Sequence, residues 1–540
     1  MSSWLDTAAA DRSAFLSALR AYADEGAAGS ASNHQGGASL YQAFVGAHVT
    51  SGRPALAIET RGERKTLPYD ELHTLTGRLE RAWARAGLEP GALVALVVPM
   101  SVEFVVALLT CMRMGLVAAP LASRGRAWVD KRLEVLQPDA IFAGRDGGAF
   151  GAQWPAPLLP WLRDEDAPAP ESGSCDPGAP VLRVFSPYAP EPLTAFDVPA
   201  QALLDASLCD GLITLGLDRR DVVAAPGWDE STCQPFFILA TLMAGACWAE
   251  LGEASVRARP RILAEAGVTL LGVRSSLRDV LLAGGEWKDI PLRAWFRDLL
   301  EPQVGSWDEL VRQTAARGVT SFCLGMAPTA GGAMVFSPPS LAMQPALCWP
   351  VPVRDHQLAE LGSVDLPALA DVGLLTPLAD GKPVGGAPAL VFGRRGAGYQ
   401  YAGCAQIGRG GQVYPEDEVV ALAKRHPDVT HATVVVTPSR PVNDAHVTLL
   451  LFCSPDRAEA GSVRTHEVRN LIAQDLGTPW LPDRVEWIAL RPRLTADGID
   501  RDWCRAQYLS GALLAKAANP MFRLLSQLGE MAELHLEGSA

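Results

Sequence analysis

Residues 69–121 read YDELHTLTGRLERAWARAGLEPGALVALVVPMSVEFVVALLTCMRMGLVAAPL, and this stretch decides the fold class. Its first part has helical spacing, with three leucines and Trp83 on one face. The run LVALVV at 93–98 is uncharged and has the length of a buried parallel strand. A second apolar helix is predicted over 102–114 and a second strand over 116–120. This alternation of strands and helices predicts a layered α/β fold.

The same alternation continues on both sides of this stretch. PALAIET at 54–60 reads as a strand, and strands and helices follow one another again between 181 and 273. From about residue 403 the pattern becomes that of a compact α+β unit. We therefore expect four regions: 1–37, an N-terminal helix and linker; 38–402, a large α/β domain; 403–510, a small domain; and 511–540, a helical tail.

Composition excludes several classes of protein. Of the 540 residues, 48% are hydrophobic and 20% are charged, which is typical of a globular chain and not of a disordered chain or a coiled coil. The formal net charge is −13. An acidic chain of this kind is a poor nonspecific ligand for nucleic acid, because such binding depends on Lys and Arg that neutralise phosphates.

Cysteine usage and the N-terminus predict a cytoplasmic protein. The ten cysteines include no C-x-x-C pair, and no Cys/His group has zinc spacing. The first residues, MSSWLD, lack the basic and apolar regions of a signal peptide. No uncharged apolar run is long enough to span a membrane. We expect reduced thiols, no structural metal and no membrane span.

The ordered motifs YDEL at 69, GLEPGALVALVVPMSVEF at 87 and GLVAAPL at 115 resemble the N-terminal region of the adenylate-forming (ANL) ligases. This superfamily contains acyl- and aryl-CoA synthetases, luciferases and peptide-synthetase adenylation domains. The resemblance extends over about residues 40–508. It implies an adenylate-forming ligase fold, α/β in class, with a large layered N-terminal domain and a small α+β C-terminal domain. Active members join ATP to a carboxylate and pass the acyl group to a thiol.

The phosphate loop of the family is altered in this chain. Its pattern, T-S-G-T-T-G-x-P-K-G, aligns with a segment in which Ser186 is retained. The three glycines become Pro187, Pro190 and Thr194, and the lysine becomes Leu193. Proline has no N–H to donate, so this loop is not expected to surround a phosphate with backbone donors.

Two further catalytic positions of the family have changed. The family's Y-G-x-T-E, whose Glu binds Mg²⁺, aligns with Leu324-Gly-Met-Ala-Pro328. The family's T-x-x-G-K-x-D-R, which carries the catalytic lysine, aligns with Thr495-Ala-Asp-Gly498 followed directly by Ile499-Asp-Arg. The magnesium carboxylate and the lysine are therefore both missing from the aligned sequence, and we assign no catalytic residue.

One nucleotide-type residue besides Ser186 survives in the alignment. The family's T-G-D-L-G matches Leu369-Ala-Asp371-Val-Gly373, so Asp371 is a remnant of the ribose-binding carboxylate. The interdomain hinge G-R-x-D-D-x-I aligns with 401–407, which contains none of its charged residues.

The resemblance also suggests which residues line the old acyl pocket: Trp228, Phe236, Phe237, Cys323 and Met326. Each of these apolar residues is equally compatible with plain core packing. The segment Asp229-Glu230-Ser-Thr-Cys233 replaces an aromatic–His gate, and it either holds a polar or cationic ligand or is solvated.

These observations favour a ligase-like protein that has lost ATP-dependent carboxylate activation. We expect it to bind an acyl or aryl group, a carrier-protein thioester or another biosynthetic partner, without a cofactor. One alternative is an active acyl- or aryl-CoA or acyl-AMP ligase with a nonstandard Mg·ATP site. Another is ATP-independent acyl transfer or condensation, for which His356, Cys323, Cys404 and His73 are candidate groups without a recognisable motif.

The C-terminal helix predicted over 520–534 has apolar residues at helical spacing. It either packs on its own domain or contacts a protein partner or a second copy of the chain.

Overall fold

The structure is a computed structural model, and it describes residues 40–60, 63–121, 126–143, 176–186, 193–229, 231–284, 286–301, 305–337, 347–350, 356–360, 372–379, 382–385, 390–395, 398–404, 408–409, 412–439, 444–454, 461–495 and 498–527. The helix predicted over 3–24, the linker to 37 and the end of the predicted tail helix lie outside these residues. The chain divides into two compact units. The first unit takes residues up to 123 and 132–406, and the second takes 124–131 and the residues from 407 onward. The domain boundaries expected from the sequence stay predictions.

The strands of the first unit, in chain order, are β1 (Pro54–Thr60), β2 (Glu63–Pro68), β3 (Leu93–Val97), β4 (Val117–Leu121), β5 (Ala140–Ala143), β6 (Pro180–Phe185), β7 (Ala195–Pro199), β8 (Val222–Ala224), β9 (Cys247–Glu250), β10 (Leu270–Gly272), β11 (Ala294–Asp298), β12 (Thr320–Ala327), β13 (Gly332–Ser337), β14 (Leu347–Pro350), β15 (His356–Glu360), β16 (Val372–Ala379), β17 (Lys382–Pro383), β18 (Leu390–Arg395) and β19 (Gly398–Cys404).

The helices up to residue 315, in chain order, are α1 (Leu40–Phe44), α2 (Tyr69–Arg85), α3 (Val102–Met114), α4 (Arg126–Leu136), α5 (Ala200–Ala206), α6 (Gln234–Met243), α7 (Glu253–Ala258), α8 (Ile262–Glu265), α9 (Ser275–Gly284) and α10 (Gly305–Ala315). Local signals in the sequence explain the ends of α3. The Ser101 hydroxyl accepts a hydrogen bond from the Phe104 N–H at 3.2 Å, and Gly115 ends the helix with a φ of 68°.

Two sheets organise the first unit. The smaller one has the order β5-β3-β4-β6-β7. Its first four strands are parallel, and β7 is antiparallel to β6. The larger sheet has 14 described strands, in the order β15-β16-β18-β19-β14-β13-β12-β11-β10-β8-β9-β1-β2, with β17 paired to β16. Within it, β12, β11, β10, β8, β9 and β1 are parallel neighbours.

Both faces of the larger sheet are buried against apolar side chains. Phe296 faces a core that also contains residues of the smaller sheet and of α2, α3 and α6. The next residue, Trp295, faces a second core with Trp307 of α10, and their stacked rings lie 6.1 Å apart. Because successive side chains on a strand point to opposite faces, neighbouring residues of β11 serve different cores.

The second unit contains a sheet of β22 (His431–Ser439), β23 (Asp444–Phe452) and β24 (Arg484–Ile488), in that order. Phe522 packs against the core of this unit, so the described part of the tail helix contacts its own unit. The short strands are β20 (Gly408–Arg409), β21 (Gln412–Val413), β25 (Leu494–Thr495) and β26 (Gly498–Ile499), and the helices are α11 (Glu416–Ala423), α12 (Gly461–Asp475), α13 (Arg501–Leu509), α14 (Ala512–Ala518) and α15 (Pro520–Gln527).

A buried tyrosine joins α2 to the end of α6. The Tyr69 hydroxyl donates to the carbonyl oxygens of Leu242 and Ala246, at 3.1 and 2.8 Å. The side chain is fully buried, and burial raises the pKa of its hydroxyl, which therefore stays protonated. This contact fixes the end of a helix that lines the candidate site.

Replacement of this tyrosine tests the contact. Tyr69→Phe should lower the free energy of unfolding by about 1–3 kcal/mol, because it removes the hydroxyl donor to the buried Ala246 carbonyl, while the Leu242 carbonyl still accepts from the Gly245 N–H. Urea denaturation measures the change. Tyr508→Phe in the second unit is the matched control, and a Tyr69→Phe midpoint equal to that control would contradict the prediction.

Candidate functional site

The candidate site lies at the carboxyl ends of the parallel strands of the larger sheet. The chain proceeds from β8 to β9 on one side and then returns to β10 on the other side of β8. Ligands of open α/β sheets bind at such a reversal of strand order, beyond the carboxyl ends of the strands. Trp228 follows β8 at this point, and Arg274 follows β10.

Three aromatic rings fill the space next to the ends of β8 and β10. Trp228 lies 5.3 Å from Phe237 and 5.1 Å from Phe296, and the two phenylalanines lie 4.8 Å apart. We call these three residues the aromatic cluster. Each is less than 10% exposed. The indole N–H of Trp228 has no hydrogen-bond partner among the described residues.

Gly272 makes room for this cluster. A Cβ atom at this position would lie 2.7 Å from the Trp228 Nε1 and 2.8 Å from the Phe296 Cε2. Both contacts are shorter than real Cβ atoms tolerate. The last residue of β10 must therefore be glycine for the indole ring to lie against the strand.

A small apolar cavity adjoins the aromatic cluster. Its volume is about 20 Å³, which is room for about one water molecule. Phe236 and Phe237 of α6, and Leu324 and Met326 of β12, form much of its wall. The cavity is therefore nearly filled by the protein's own side chains.

A π-helix, Ser207–Thr214, forms another wall of this cavity. The sequence predicts an uninterrupted helix over 199–215, but the structure has α5 followed by this wider turn. The Leu215 N–H donates to the Asp210 carbonyl, five residues back. Gly211 lies close to α6, since a Cβ there would come within 2.9 Å of the Ala240 Cβ. Short π-helical segments are common at functional sites.

A buried polar group, the polar cluster of Arg274, Asp298 and Glu301, lies beside the aromatic cluster. The Arg274 Nε is 2.5 Å from a Glu301 carboxylate oxygen, and its guanidinium lies 5.9 Å from the Trp228 ring centre. Burial disfavours the charge on Arg274, but Glu301 and Asp298 outweigh it, and the guanidinium pKa stays above its usual value. Burial raises the pKa of Asp298 to about 7.

The segment that replaces the aromatic–His gate has an internal partner. The Asp229 Oδ1 accepts hydrogen bonds from the backbone N–H and hydroxyl groups of both Ser231 and Thr232, at 2.7–3.0 Å. This carboxylate therefore stabilises the turn before α6. Glu230 lies outside the described residues.

The predicted site residues are partly brought together. Phe236, Phe237 and Met326 line the cavity, and Trp228 packs on Phe237. Cys323, half-buried on β12, is not part of the cavity wall. Their assignment to an acyl pocket stays a prediction.

The two remnants of nucleotide binding differ in what the structure describes. Ser186 is buried at the end of β6. The turn Pro328–Ala330, which follows β12, contacts β6 and β7. Residues 187–192 and Asp371 lie outside the described residues.

Four residues of this region were not singled out from the sequence: Gly272, Arg274, Asp298 and Glu301. A glycine at the end of an apolar strand, followed two residues later by arginine, is the one local signal for the first pair. Asp298 and Glu301 become neighbours of Arg274 only through the pairing of β10 with β11.

Known families and curated proteins give one match to this sequence. The family model described as AMP-binding enzyme matches residues 44–173. A search among curated proteins finds no match.

The structure is similar to an artificially fused adenylation–PCP di-domain, NpsA-ThdA, from Klebsiella oxytoca, at 14% identity and a TM-score of 0.65. That match covers 84% of this chain and 94% of the other. The chain has the adenylate-forming fold.

Other structures agree. An o-succinylbenzoate CoA synthetase from Bacillus subtilis has 13% identity and a TM-score of 0.64, with 86% of this chain and 98% of the other covered. An acyl-CoA synthetase from Brucella canis has 16% identity and a TM-score of 0.57, with 90% and 97% covered. The predicted fold class and the resemblance to the adenylate-forming superfamily are confirmed.

At the end of β12, the two positions aligned with the metal-binding motif of the family carry no carboxylate. Ala327 and Pro328 occupy the positions aligned with the family's Thr and Glu. The neighbouring Thr329 hydroxyl is buried without a hydrogen-bond partner, but a neutral oxygen does not offset phosphate charge. No group of three metal-binding side chains occurs in the described parts of the chain. These residues do not fit a Mg²⁺ ion bound to ATP.

In the second unit, the C-terminal motif of the adenylate-forming fold forms the hairpin β25–β26. Gly498 has a φ of 116°, which favours glycine. Asp500 caps α13 by accepting from the Trp503 N–H at 2.9 Å, and Arg501 forms an ion pair with Asp417. The charged residues after Gly498 therefore stabilise local structure.

Among the described helices, none is long and apolar enough to cross a bilayer.

The contact of Trp228 with Gly272 gives a testable expectation. Gly272→Ala should lower the free energy of unfolding by about 1–3 kcal/mol and change the Trp fluorescence, because the new methyl group overpacks the aromatic cluster. Thermal denaturation followed by fluorescence measures both. Gly305→Ala is the control, since a Cβ there meets open space. Equal stability of Gly272→Ala and Gly305→Ala would contradict the prediction, because it would mean that the aromatic cluster accommodates the added methyl group without loss of stability.

Proposed function

We propose that this adenylate-forming-fold protein does not activate carboxylates with ATP, and that it binds a short apolar acyl or aryl group as a free ligand or a carrier-protein thioester. The observation that carries the first part is Ala327-Pro328 at the end of β12. A Mg²⁺ carboxylate at that place is needed because the ion neutralises the phosphate charge of ATP.

The second unit supports the same proposal. Active members of the superfamily place a lysine after the glycine that aligns with Gly498, whereas Ile499 follows here. No lysine occurs between Lys424 and Lys516 in the sequence. The loss of one such electrostatic donor costs about 3–4 kcal/mol of transition-state stabilisation. Loss of both the lysine and the metal carboxylate would leave little of the ATP reaction, even if the two costs do not add.

The cavity supports the binding of a small apolar group. It lies at the expected end of the sheet, and its described wall is made of phenylalanine, leucine and methionine side chains with the π-helix opposite. A volume of about 20 Å³ demands that an incoming group displace a side chain. The similarity to an adenylation–PCP di-domain is the reason to include a carrier-bound thioester among the ligands.

Three of the described thiols are poor nucleophiles for a second function, acyl transfer through a cysteine, whereas the half-buried Cys323 stays a candidate. Burial raises the pKa of Cys247 and of Cys504 to about 12, and it also raises the pKa of Cys233 next to the aromatic cluster. A thiol of this kind carries little thiolate at neutral pH. The side chains of His356 and Cys404 lie outside the described parts, and His73 contacts Tyr41 and Arg113.

The absence of ATP chemistry has a direct test. Calorimetric titration with Mg·ATP and with AMP should give no binding heat, and pyrophosphate exchange over a panel of carboxylates should stay at background. An active acyl-CoA synthetase assayed in parallel is the positive control. ATP-dependent exchange would overturn the proposal and would favour the active ligase with a nonstandard ATP site.

Ligand binding has a separate test. Phe236→Leu enlarges the cavity, so it should shift the preferred acyl chain to a longer length, with about fourfold tighter binding per added methylene, or about 0.8 kcal/mol. Binding of a graded series of acyl pantetheine thioesters is measured by fluorescence. Phe104→Leu, in the buried core of α3, is the control and should leave the preference unchanged. The cavity is not the acyl site if Phe236→Leu keeps the chain-length preference of the wild type, or if neither the wild type nor Phe236→Leu binds any thioester.

A further inference from the structure

A buried polar network holds helix α1 against α2 and α3. The Tyr41 hydroxyl lies 2.7 Å from the Thr76 hydroxyl and 3.1 Å from the His73 Nδ1. The same Nδ1 lies 3.4 Å from the Arg113 Nη1. Tyr41, Thr76 and Arg113 are each less than 5% exposed, while His73 is half-buried. The His73 imidazole therefore lies at the edge of a buried network whose members belong to three helices.

The hydrogen-bond chemistry fixes the protonation state of this histidine. A guanidinium can only donate, so in the 3.4 Å contact with Arg113 the Nδ1 atom is the acceptor. An imidazolium has no acceptor, and its charge would face the Arg113 cation directly. The observed arrangement therefore requires an unprotonated Nδ1.

Among the described residues, the charged group that contacts His73 is Arg113, a cation and not a counter-ion. Arg113 is already paired with Glu80, at 2.6 Å, and its guanidinium lies 4.9 Å from the centre of the Tyr41 ring. Burial raises the pKa of the Tyr41 hydroxyl, which stays neutral. Helix α6, which packs on α1, has no charged residue. Burial and then Arg113 lower the pKa of His73 below its usual value.

A second histidine continues the connection from α1 to α6. After α1 the chain forms a 3₁₀ turn, Gly46–Ser51, in which the His48 Nε2 donates to the Met243 carbonyl at 3.1 Å. Its ring lies 5.2 Å from that of Tyr69, and burial, followed by the charge of Arg53, lowers the pKa of this imidazole. Gly245 provides the space, since a Cβ there would be 3.0 Å from the imidazole. Residues 40–51 therefore contact the helix that carries Phe236 and Phe237.

We propose that Tyr41, His73 and Arg113 form a proton-sensitive clasp whose opening frees residues 40–51 from α2 and α3 and loosens α6 along the candidate cavity. This goes beyond the proposed function, because it holds whether or not the cavity binds an acyl group. His73 takes up a proton less readily in the folded state than in the unfolded chain. The stabilisation that neutral His73 gives to the folded state is therefore complete above pH 6.5, the usual histidine pKa. It is lost as the pH falls through the lowered pKa of His73.

Hydrogen–deuterium exchange of the full chain tests the clasp between pH 8 and pH 5, with rates corrected for intrinsic exchange. In the wild-type protein, protection of residues 40–51 should fall with acid, by at most tenfold per pH unit for one proton. Protection of residues 234–243 should fall with it. His73→Asn keeps an acceptor near the position of Nδ1 but does not titrate, so the acid-induced loss of protection should be smaller than in the wild-type protein. The remaining loss comes from His48, because burial lowers the pKa of that imidazole as well.

The controls separate the clasp from general acid effects. His466→Asn changes an exposed histidine of the second unit and should keep the wild-type pH profile. Tyr41→Phe removes the hydroxyl contacts with Thr76 and His73 but keeps the imidazole that titrates, so protection of residues 40–51 should be lower at every pH and still fall with acid. His48→Asn should also keep the fall.

Three outcomes would overturn the inference. The first is a pH profile of His73→Asn equal to that of the wild type. The second is loss of the pH dependence in His48→Asn. The third is acid-induced exposure of residues 40–51 while 234–243 stay protected, which would refute the coupling to the cavity. If His73→Asn does not fold, His73→Gln serves as the second variant without a titrating imidazole, and a pH profile equal to that of the wild type would again overturn the inference.

Discussion

The contact between the Trp228 indole ring and Gly272 constrains the packing at the carboxyl ends of β8 and β10. Because β10 ends in a residue without a side chain, the ring lies directly on the strand, and Phe237 and Phe296 close around it. Helix α6 is thereby drawn toward the sheet. The small volume of the cavity follows from this packing, since the aromatic cluster occupies space that a ligand would otherwise use.

Charge at the same edge of the sheet is balanced internally. Arg274 pairs with Glu301, Asp298 takes a raised pKa, and Asp229 accepts four bonds from its own turn. Such buried networks are costly unless each member has a partner. The strand ends that bind a ligand in other α/β proteins are here held by interactions within the chain.

Local pattern was enough to predict elements whose signals are local. The strand at 54–60 and the helix at 102–114 have the predicted bounds. The apolar residues of each segment are close in sequence, and Ser101 and Gly115 directly flank the helix. The arrangement of these elements in an adenylate-forming fold was predicted from the resemblance to the superfamily. The π-helix was missed because the close approach of Gly211 to Ala240 of α6 is a tertiary contact that the local sequence does not reveal. The polar cluster was missed because its members are joined by strand pairing, and the role of Ser186 and Asp371 stays a prediction.

The pairing of β1 with β9 has a consequence for synthesis of the chain on the ribosome. Leu56 pairs with Trp248, so an early strand must wait for a partner encoded far downstream. At about 5–20 residues per second, that wait is roughly 10–40 s. During this time β1 and β2 have only each other, and an isolated two-stranded hairpin is marginal in water. The nascent N-terminal third of this protein therefore presents an unpaired strand edge, the kind of surface that chaperones bind and that misfolding exploits.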